Sequence, residues 1–253
     1  MLKTGPDAEN RDDIRIAGGQ SDCAGCPLKH YGLCAQLTLN QPGALPKVRK
    51  LDIRVRARQN LYHATDRLRE AAIIREGFSF GYVALPGGRR QILSFSMPGD
   101  FLSTSMMTKG RMNFSIQALT PLRLCVFDKA ELEHFIGVVG APASYRTFAR
   151  ACMAEKENLE TRLVDLGRRT AEERIVRLLL EFRDRFIERG ASGGIMPWPL
   201  KQQHMADALG LTQVHVSRIM SGLRRAGLIG LSGGQIEILD LDRLRRIATD
   251  SRI

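Results

Sequence analysis

The stretch LGLTQVHVSRIMSGLRRAG, from Leu209 to Gly227, constrains most strongly what this chain can fold into. Gly210 supplies a turn, and Thr212 is a natural N-cap because its hydroxyl can accept from a free backbone N–H. The apolar residues that follow recur at the spacing of one helical face: Val216, Ile219, Met220 and Leu223. A shorter helix is predicted just before the turn, over residues 200–209. Together they predict a helix-turn-helix.

The second helix carries a polar, basic outer face, opposite its apolar stripe. Any amphipathic helical hairpin has such a face, so this pattern alone does not establish DNA binding. The following segment, LIGLSGGQIEILD, contains two short apolar runs around Gly233-Gly234, which predict a β-hairpin. A recognition helix followed by a hairpin indicates a winged helix, whose second helix enters the major groove. The candidate DNA-contacting residues are Thr212, Gln213, Val214, His215, Ser217, Arg218, Ser221 and Arg225.

Among these candidates, Arg218 is central and can bind guanine O6 and N7 with two hydrogen bonds. Ser217 can reach a base or a phosphate. Thr212 and Gln213 lie at the helix N-terminus, which suits a phosphate or a base edge. Arg224 and Arg225 are placed to hold phosphates, or are simply solvated.

Composition supports a polyanionic partner. The chain has 253 residues and a formal net charge of +11, which fits one large or two modest domains with a basic surface. No apolar run approaches the ~20 residues of a membrane span, and the N-terminus lacks the apolar segment of a secretory signal. We therefore expect a cytoplasmic protein without a membrane partner.

Three cysteines, Cys23, Cys26 and Cys34, lie within twelve residues in a C-x2-C-x7-C pattern. In a reducing compartment this spacing favours a metal ion or an iron–sulfur cluster over disulfides. Three thiolates in one short loop would repel one another without a cation. His30 as fourth ligand would indicate zinc. Cys125 and Cys152 are more distant candidates for the fourth ligand, and local chemistry does not choose among the three.

Between residues 61 and 127 the chain predicts short strands separated by glycine and proline turns, as in an antiparallel barrel or jelly roll. A short helix is predicted over residues 129–140. A long helix should follow, from about residue 142 to 166. Its imperfect coiled-coil stripe comprises Tyr145, Phe148, Cys152, Leu159 and Leu166, with Glu155 and Arg162 at the remaining seam positions. It fits a dimer helix or one packed on its own barrel.

The sequence as a whole resembles the CRP/FNR superfamily of bacterial transcription regulators. The resemblance covers about residues 20–250 and rests on the phrases GRRQILSFSMPGDFLS, FSIQALTPLRLCVFDKAELE, AEERIVRLLLEFRDRF and ADALGLTQVHVSRIMSGLRRAGLI. It implies an α+β protein with a β jelly-roll sensor domain of the cyclic-nucleotide-binding type, a long dimerisation helix and a C-terminal winged helix. The corresponding ranges are 1–36 for the tail and cysteine loop, 37–140 for the β-roll, 141–167 for the dimer helix and 168–253 for the DNA-binding domain. Implied partners are double-stranded promoter DNA, a second copy of the chain and RNA polymerase.

Within this superfamily the cysteines resemble those of the oxygen-sensing FNR branch. The resemblance implies oxygen sensing through a [4Fe–4S] cluster held by Cys23, Cys26, Cys34 and Cys125. The alternatives are a zinc or degenerate cysteine site in a regulator that responds to nitric oxide, a metal or another ligand, or a cluster-bearing redox protein. Cys125 stands in PLRLCVFDKAEL, where the barrel cysteine of that branch belongs. No enzymatic activity is expected, because the five histidines are scattered and form no catalytic constellation with acidic or nucleophilic residues.

Two departures from the family pattern affect ligands. The positions that would bind the ribose and phosphate of cAMP carry Thr104 and Asn113-Phe114, which argues against cAMP even though Arg111 is nearby. Many relatives carry a glutamate where this chain has Val214. Glutamate can accept from cytosine N4, whereas valine makes only apolar contacts, for instance with a thymine methyl. The usual FNR half-site is therefore not expected.

Overall fold

A computed structural model describes residues 15–17, 23, 25–31, 34–35, 49–67, 70–102, 111–128, 130, 141–191 and 194–249. The chain divides into two compact units. One comprises residues 1–88 and 93–157, and the other residues 89–92 and 158–253. The division falls inside a long helix, and the predicted domain boundaries stay predictions.

The first unit is built from short strands in two sheets. The strands are β1 (Arg15–Ala17), β2 (Arg49–Val55), β3 (Asn60–Tyr62), β4 (Glu70–Glu76), β5 (Ser79–Ala84), β6 (Arg90–Ser96), β7 (Phe101–Leu102), β8 (Ser115–Ala118) and β9 (Leu122–Asp128). One sheet has the order β1-β2-β9-β4-β7 and the other β3-β8-β5-β6. The first of these strands lies in the predicted tail, yet it pairs antiparallel with β2.

The core of this unit lies between the two sheets. It gathers apolar side chains from both: Ile53, Val55, Leu61, Ala72, Ile74, Leu102, Met112, Ile116, Ala118, Leu122, Leu124 and Val126. Along β9 the core residues alternate, so Leu124 and Val126 point inward and Cys125 points to the other face of the sheet. The jelly-roll prediction is confirmed by this sandwich of antiparallel pairs.

The turn after β4 depends on a glycine. Gly77 has a φ of +89°, and a Cβ placed there would lie 2.1 Å from the carbonyl oxygen of Pro121. Gly87, Gly88 and Gly99 also have positive φ, as expected for glycine turns between the predicted strands. The helix predicted over 129–140 lies outside the described residues apart from Ala130.

Two helices follow the sandwich. The first, α1 (Ala141–Arg168), is the predicted long helix, and the second is α2 (Ala171–Glu188). The start of α2 is fixed by a capping box, in which Thr170 N–H donates to Glu173 Oε2 at 2.7 Å and Glu173 N–H donates to Thr170 Oγ1 at 3.3 Å.

The exposed face of α1 differs from the predicted seam. Arg162 Nη2 lies 2.9 Å from Glu181 of α2, so this seam position is used within the chain. The next residue, Leu163, is 73% exposed, and Met153, Leu159 and Val164 are exposed as well. The outward stripe is therefore rotated by about one residue from the predicted one, toward Leu163.

The second unit ends in a compact winged helix. Its elements are β10 (Ile195–Pro197), α3 (Gln202–Leu209), α4 (Gln213–Arg225), β11 (Ile229–Ser232), β12 (Gln235–Ile238) and α5 (Leu241–Thr249). The strands form a sheet in the order β10-β12-β11. Gly233 and Gly234 both have positive φ, at 58° and 74°, as the predicted two-residue hairpin turn requires.

No helix in the described ranges combines the length and the apolarity that crossing a membrane requires.

The close approach at Gly77 generates a test of the sandwich. Gly77→Ala should destabilise the protein more than Gly87→Ala, because both positions have positive φ but only Gly77 faces backbone within 4 Å. We expect about 1–3 kcal/mol of backbone strain for either change and about 1–3 kcal/mol more at Gly77 from the clash. Urea unfolding of the two variants measures the difference, and equal losses would contradict the assigned contact.

Candidate nucleic-acid interface and cysteine site

The turn between α3 and α4 adopts the predicted geometry. Gly210 ends α3 in the left-handed region, with φ 64° and ψ 39°. Thr212 caps α4, and its Oγ1 accepts from His215 N–H at 3.2 Å. The first turn of α4 contains no acidic residue. The positive end of the helix dipole is therefore left available to an anion such as a DNA phosphate.

The two faces of α4 separate as predicted. Val216, Met220 and Leu223 are buried, while Ile219 is half-buried. On the other side every candidate DNA-contacting residue is exposed except Ser217, which is half-buried. Arg225 Nε also lies 3.4 Å from its own helix carbonyl at Ser221. The outer face thus offers exposed donors on a helix whose inner face is fixed by packing.

Val214 stands out on this face because it is apolar and 69% exposed. It occupies the first turn of α4, beside Gln213, and no described neighbour covers it. A single exposed apolar residue on a surface is common, but this one lies where base edges are read. Here it can contact only an apolar group such as a thymine methyl.

Two arginine contacts that support the helix-turn-helix were not anticipated from the sequence. Arg174 of α2 donates from Nη1 to the Leu209 carbonyl at 3.0 Å and from Nε to the Arg169 carbonyl at 2.9 Å. Arg177 donates from Nε to the buried Asp165 at 2.7 Å. The bond from Arg174 to Leu209 satisfies a carbonyl at the C-terminal end of α3, where backbone carbonyls have no partner within the helix. Periodicity does not reveal the bonds to Leu209 and Asp165, since they join residues 35 and 12 positions apart.

The N-terminal cysteines lie on a tight turn. Cys26 N–H donates to the Cys23 carbonyl at 3.4 Å, and a short 3-10 helix follows over Pro27–His30. Cys34 is buried, with only 8% of its surface exposed. His30, the predicted zinc alternative, is exposed on the 3-10 helix.

Tyr31 docks this loop on the sandwich. A Cβ built on Gly99 would lie 2.6 Å from Tyr31 Cδ1, so the ring lies directly on the glycine backbone. Gly99 is held in its turn with a φ of +94°, and its N–H donates to the Ile74 carbonyl at 2.9 Å. The turn of the β-roll thereby receives a segment only a few residues away from the cysteines.

The predicted ligands Cys23, Cys26, Cys34 and Cys125 gather on the first unit. Burial raises the pKa of Cys34 to about 12, and negative charge on Cys125, Cys26 and Cys23 contributes in that order. All three therefore lie within electrostatic reach of Cys34. Cys152, on α1, does not contribute to that shift.

The thiols are gathered without forming a tight chelate. Among the described residues, no three histidine, cysteine or acidic side chains are arranged to hold a metal ion. Four thiols are a donor set for a [4Fe–4S] cluster and for a structural zinc ion alike, so the chemistry of these residues fits either group.

The positions assigned to cyclic-nucleotide binding are partly described. Thr104 lies outside the described residues. Asn113 is exposed, and the Phe114 ring packs on the core and on Gly81, where a Cβ would lie 2.6 Å from Phe114 Cε2. An aromatic ring therefore occupies one predicted phosphate-contact position.

Comparisons with known proteins agree with this architecture. Residues 52–137 match the cyclic nucleotide-binding domain family, and residues 173–247 match the Crp-like helix-turn-helix domain family. The nitrogen fixation regulation protein FixK of Bradyrhizobium diazoefficiens is 32% identical over 228 residues, covering 89% of this chain and 93% of FixK. The anaerobic regulatory protein of Haemophilus influenzae is 26% identical over 239 residues, covering 94% of this chain and 91% of that protein. The solved structure of FixK2 from Bradyrhizobium japonicum superimposes with a TM-score of 0.71 at 28% identity, covering 79% of this chain and 97% of FixK2.

A β-roll, a long helix and a winged helix-turn-helix with an exposed basic reading face define a DNA-binding transcription regulator. The chain belongs to the CRP/FNR family of such regulators.

The reading face of α4 gives a prediction about DNA. Arg218→Ala should weaken binding to a selected site by about 1–3 kcal/mol, roughly 5- to 150-fold, and relax the base preference at one position. Selection of binding sites from a random DNA pool, followed by mobility shift, measures both. Arg224→Ala is the matched control, since loss of a phosphate contact should weaken all sequences alike and reduce the salt dependence. Unchanged base preference in Arg218→Ala would contradict the assignment.

Burial of Cys34 gives a prediction about pH. In the metal-free, reduced protein the folded pKa is about 12 against an ordinary value of 9.0, so folding favours the neutral thiol. This contribution is complete below pH 9 and is lost as the pH rises toward 12. Between pH 8 and 10 the wild type should lose about 1.4 kcal/mol more stability than Cys34→Ser. Urea unfolding at the two pH values measures the loss, and parallel losses in both proteins would count against a buried Cys34.

Proposed function

We propose that this regulator responds to oxygen through a [4Fe–4S] cluster bound by Cys23, Cys26, Cys34 and Cys125. The observation that carries the proposal is the position of Cys34, which is buried and within electrostatic reach of the other three thiols. Four thiols from a loop and a strand have little reason to gather around a buried site unless a cation joins them. One relative is named an anaerobic regulatory protein, which fits an oxygen-related signal.

When bound, the cluster would supply a redox-active, oxygen-labile link between the N-terminal loop and β9. The residues of the chain perform the rest. Cys23 and Cys26 present their sulfurs from one turn, and Cys34 gives up its proton on ligation, so binding should strengthen with rising pH. Cys125 fixes the site to the β-roll. Loss of the link would free the cysteines and change how the loop packs on its surroundings.

We place the second copy of the chain on the outward stripe of α1. Met153, Leu159, Leu163 and Val164 expose apolar surface along one side of a 28-residue helix. A monomer would leave this stripe in water, whereas two such helices side by side would bury it. A dimer would also present two recognition helices to half-sites one helical turn of DNA apart, about 34 Å.

We infer that Arg218 hydrogen-bonds to guanine at the promoter. We also infer that Val214 makes an apolar contact at the position where a glutamate would accept from cytosine N4. The half-site should then differ from one read by a glutamate at this position. RNA polymerase is the further partner that the family resemblance implies. We do not assign cAMP as the effector, because Phe114 packs where a phosphate contact was considered.

Anaerobic purification tests the proposal. The wild type should be brown, contain iron and sulfide, and bleach in air with loss of promoter binding. Cys125→Ala should be colourless and bind DNA as the air-treated protein does. Cys152→Ala is the matched control, and it should keep its colour. A colourless wild type that carries one zinc per chain would establish the alternative instead.

A further inference from the structure

A buried ion-pair network lies directly beside Cys125 on the outer face of the five-stranded sheet. Asp52 of β2 is the cross-strand partner of Cys125, and Ile73 of β4 is its partner on the other side. Residues directly opposite in an antiparallel pair share a face. Asp52 and Arg123, two residues before Cys125 on β9, therefore lie on the same face as the candidate ligand.

Asp52 is almost completely buried, with 3% of its surface exposed. Its Oδ2 lies 3.1 Å from Arg123 Nη2 and 3.5 Å from Arg75 Nη1. Arg123 also bonds the exposed Glu76 through Nη1 at 2.9 Å. One buried carboxylate thus holds two guanidinium groups, and the guanidinium of Arg123 is fixed from both sides.

The network leaves two buried polar atoms unsatisfied among the described residues. Asp52 Oδ1 and Arg123 Nε are both inaccessible to solvent and have no hydrogen-bond partner there. A buried donor without a partner destabilises the fold, and an ion pair at such a site is rarely more stable than an apolar replacement. A structural role alone therefore explains the network poorly. An anionic sulfur at the Cys125 position could accept from Arg123 Nε, whereas Asp52 Oδ1 is itself an acceptor and would gain nothing from it.

We propose that Arg123, oriented by Asp52, donates its Nε–H to the sulfur side of the filled cysteine site and tunes how firmly that site holds its cluster. Arg123 is a positioning and tuning residue, since it acts on a ligand from outside the ligand set. Hydrogen-bond donors to the sulfurs of a cluster help to set its reduction potential. Mutation of residues that hydrogen-bond to metal ligands commonly lowers metal affinity or activity by about 10- to 100-fold. The inference rests on the proposed cluster.

Arg123→Met removes the donor and keeps the apolar stem. Its cluster should bleach in air about tenfold faster than that of the wild type, and its reduction potential should fall, because a hydrogen bond to sulfur stabilises the reduced form. Asp52→Asn keeps the shape of the anchor but weakens its hold on Arg123, so its cluster should also bleach faster in air than that of the wild type. Arg123→Lys should restore part of the loss.

The matched control is Arg54→Met. Arg54 is exposed, lies opposite Arg123 across β2 and β9, and changes the net charge equally, but no described bond joins it to Asp52. Its bleaching rate and potential should equal those of the wild type. Urea unfolding of each variant separates loss of folding from loss of tuning.

The experiment uses the full chain, with the cluster assembled under argon from ferrous iron and sulfide, and follows visible absorbance during exposure to air and during a redox titration. If the wild type holds a cluster but Arg123→Met behaves as Arg54→Met does, the tuning role is wrong and the proposed function stands. If the wild type assembles no cluster, the proposed function fails and the tuning role fails with it.

Discussion

Burial of Cys34 among three other thiols is the constraint on which the sensor half of this molecule depends. A buried thiol is stable only as the neutral acid or as a ligand of a cation, because a bare thiolate cannot leave water without compensation. The fold provides both options. The raised pKa of Cys34 keeps this thiol protonated when no cation is bound. With a cation bound, the neighbouring cysteines would supply the remaining donors. In the proposed sensor, the protonation state of this one buried sulfur would therefore differ between the empty and the filled site.

The DNA-binding half depends on a different principle, the fixing of a short helix by its ends and by its inner face. Thr212 caps the start of α4, Gly210 ends the preceding helix, and Val216 lies in the core. Arg174 adds a bond from α2 to the last carbonyl of α3. The reading side chains are therefore exposed on a rigid support, as a site that must fit the major groove requires.

Sequence reasoning predicted what short-range rules control. The cap at Thr212, the hairpin turn at Gly233-Gly234 and the inner face of α4 all follow from residues within a few positions of one another. Contacts between distant segments were not predictable in this way. Asp52 and Arg123 are 71 residues apart, and nothing local to either indicates the other. The side chains that α1 exposes could not be read from its heptad pattern either, since the partner of Arg162 lies on α2. The cysteine spacing predicted metal-ligand chemistry, whereas Cys125 was assigned by the family resemblance and not by local chemistry.

The contact between Tyr31 and Gly99 changes how loss of the sensor ligand should be pictured. Tyr31 joins the cysteine segment to the β-roll by packing on Gly99. It lies three positions before Cys34 and five positions after Cys26, so a short tether restrains both cysteines even when nothing bridges the thiols. Such a restraint keeps the cysteine segment at a high effective concentration near the β-roll. If the proposed cluster is lost, its reassembly would then be an intramolecular step that does not require the loop to be recaptured from solution.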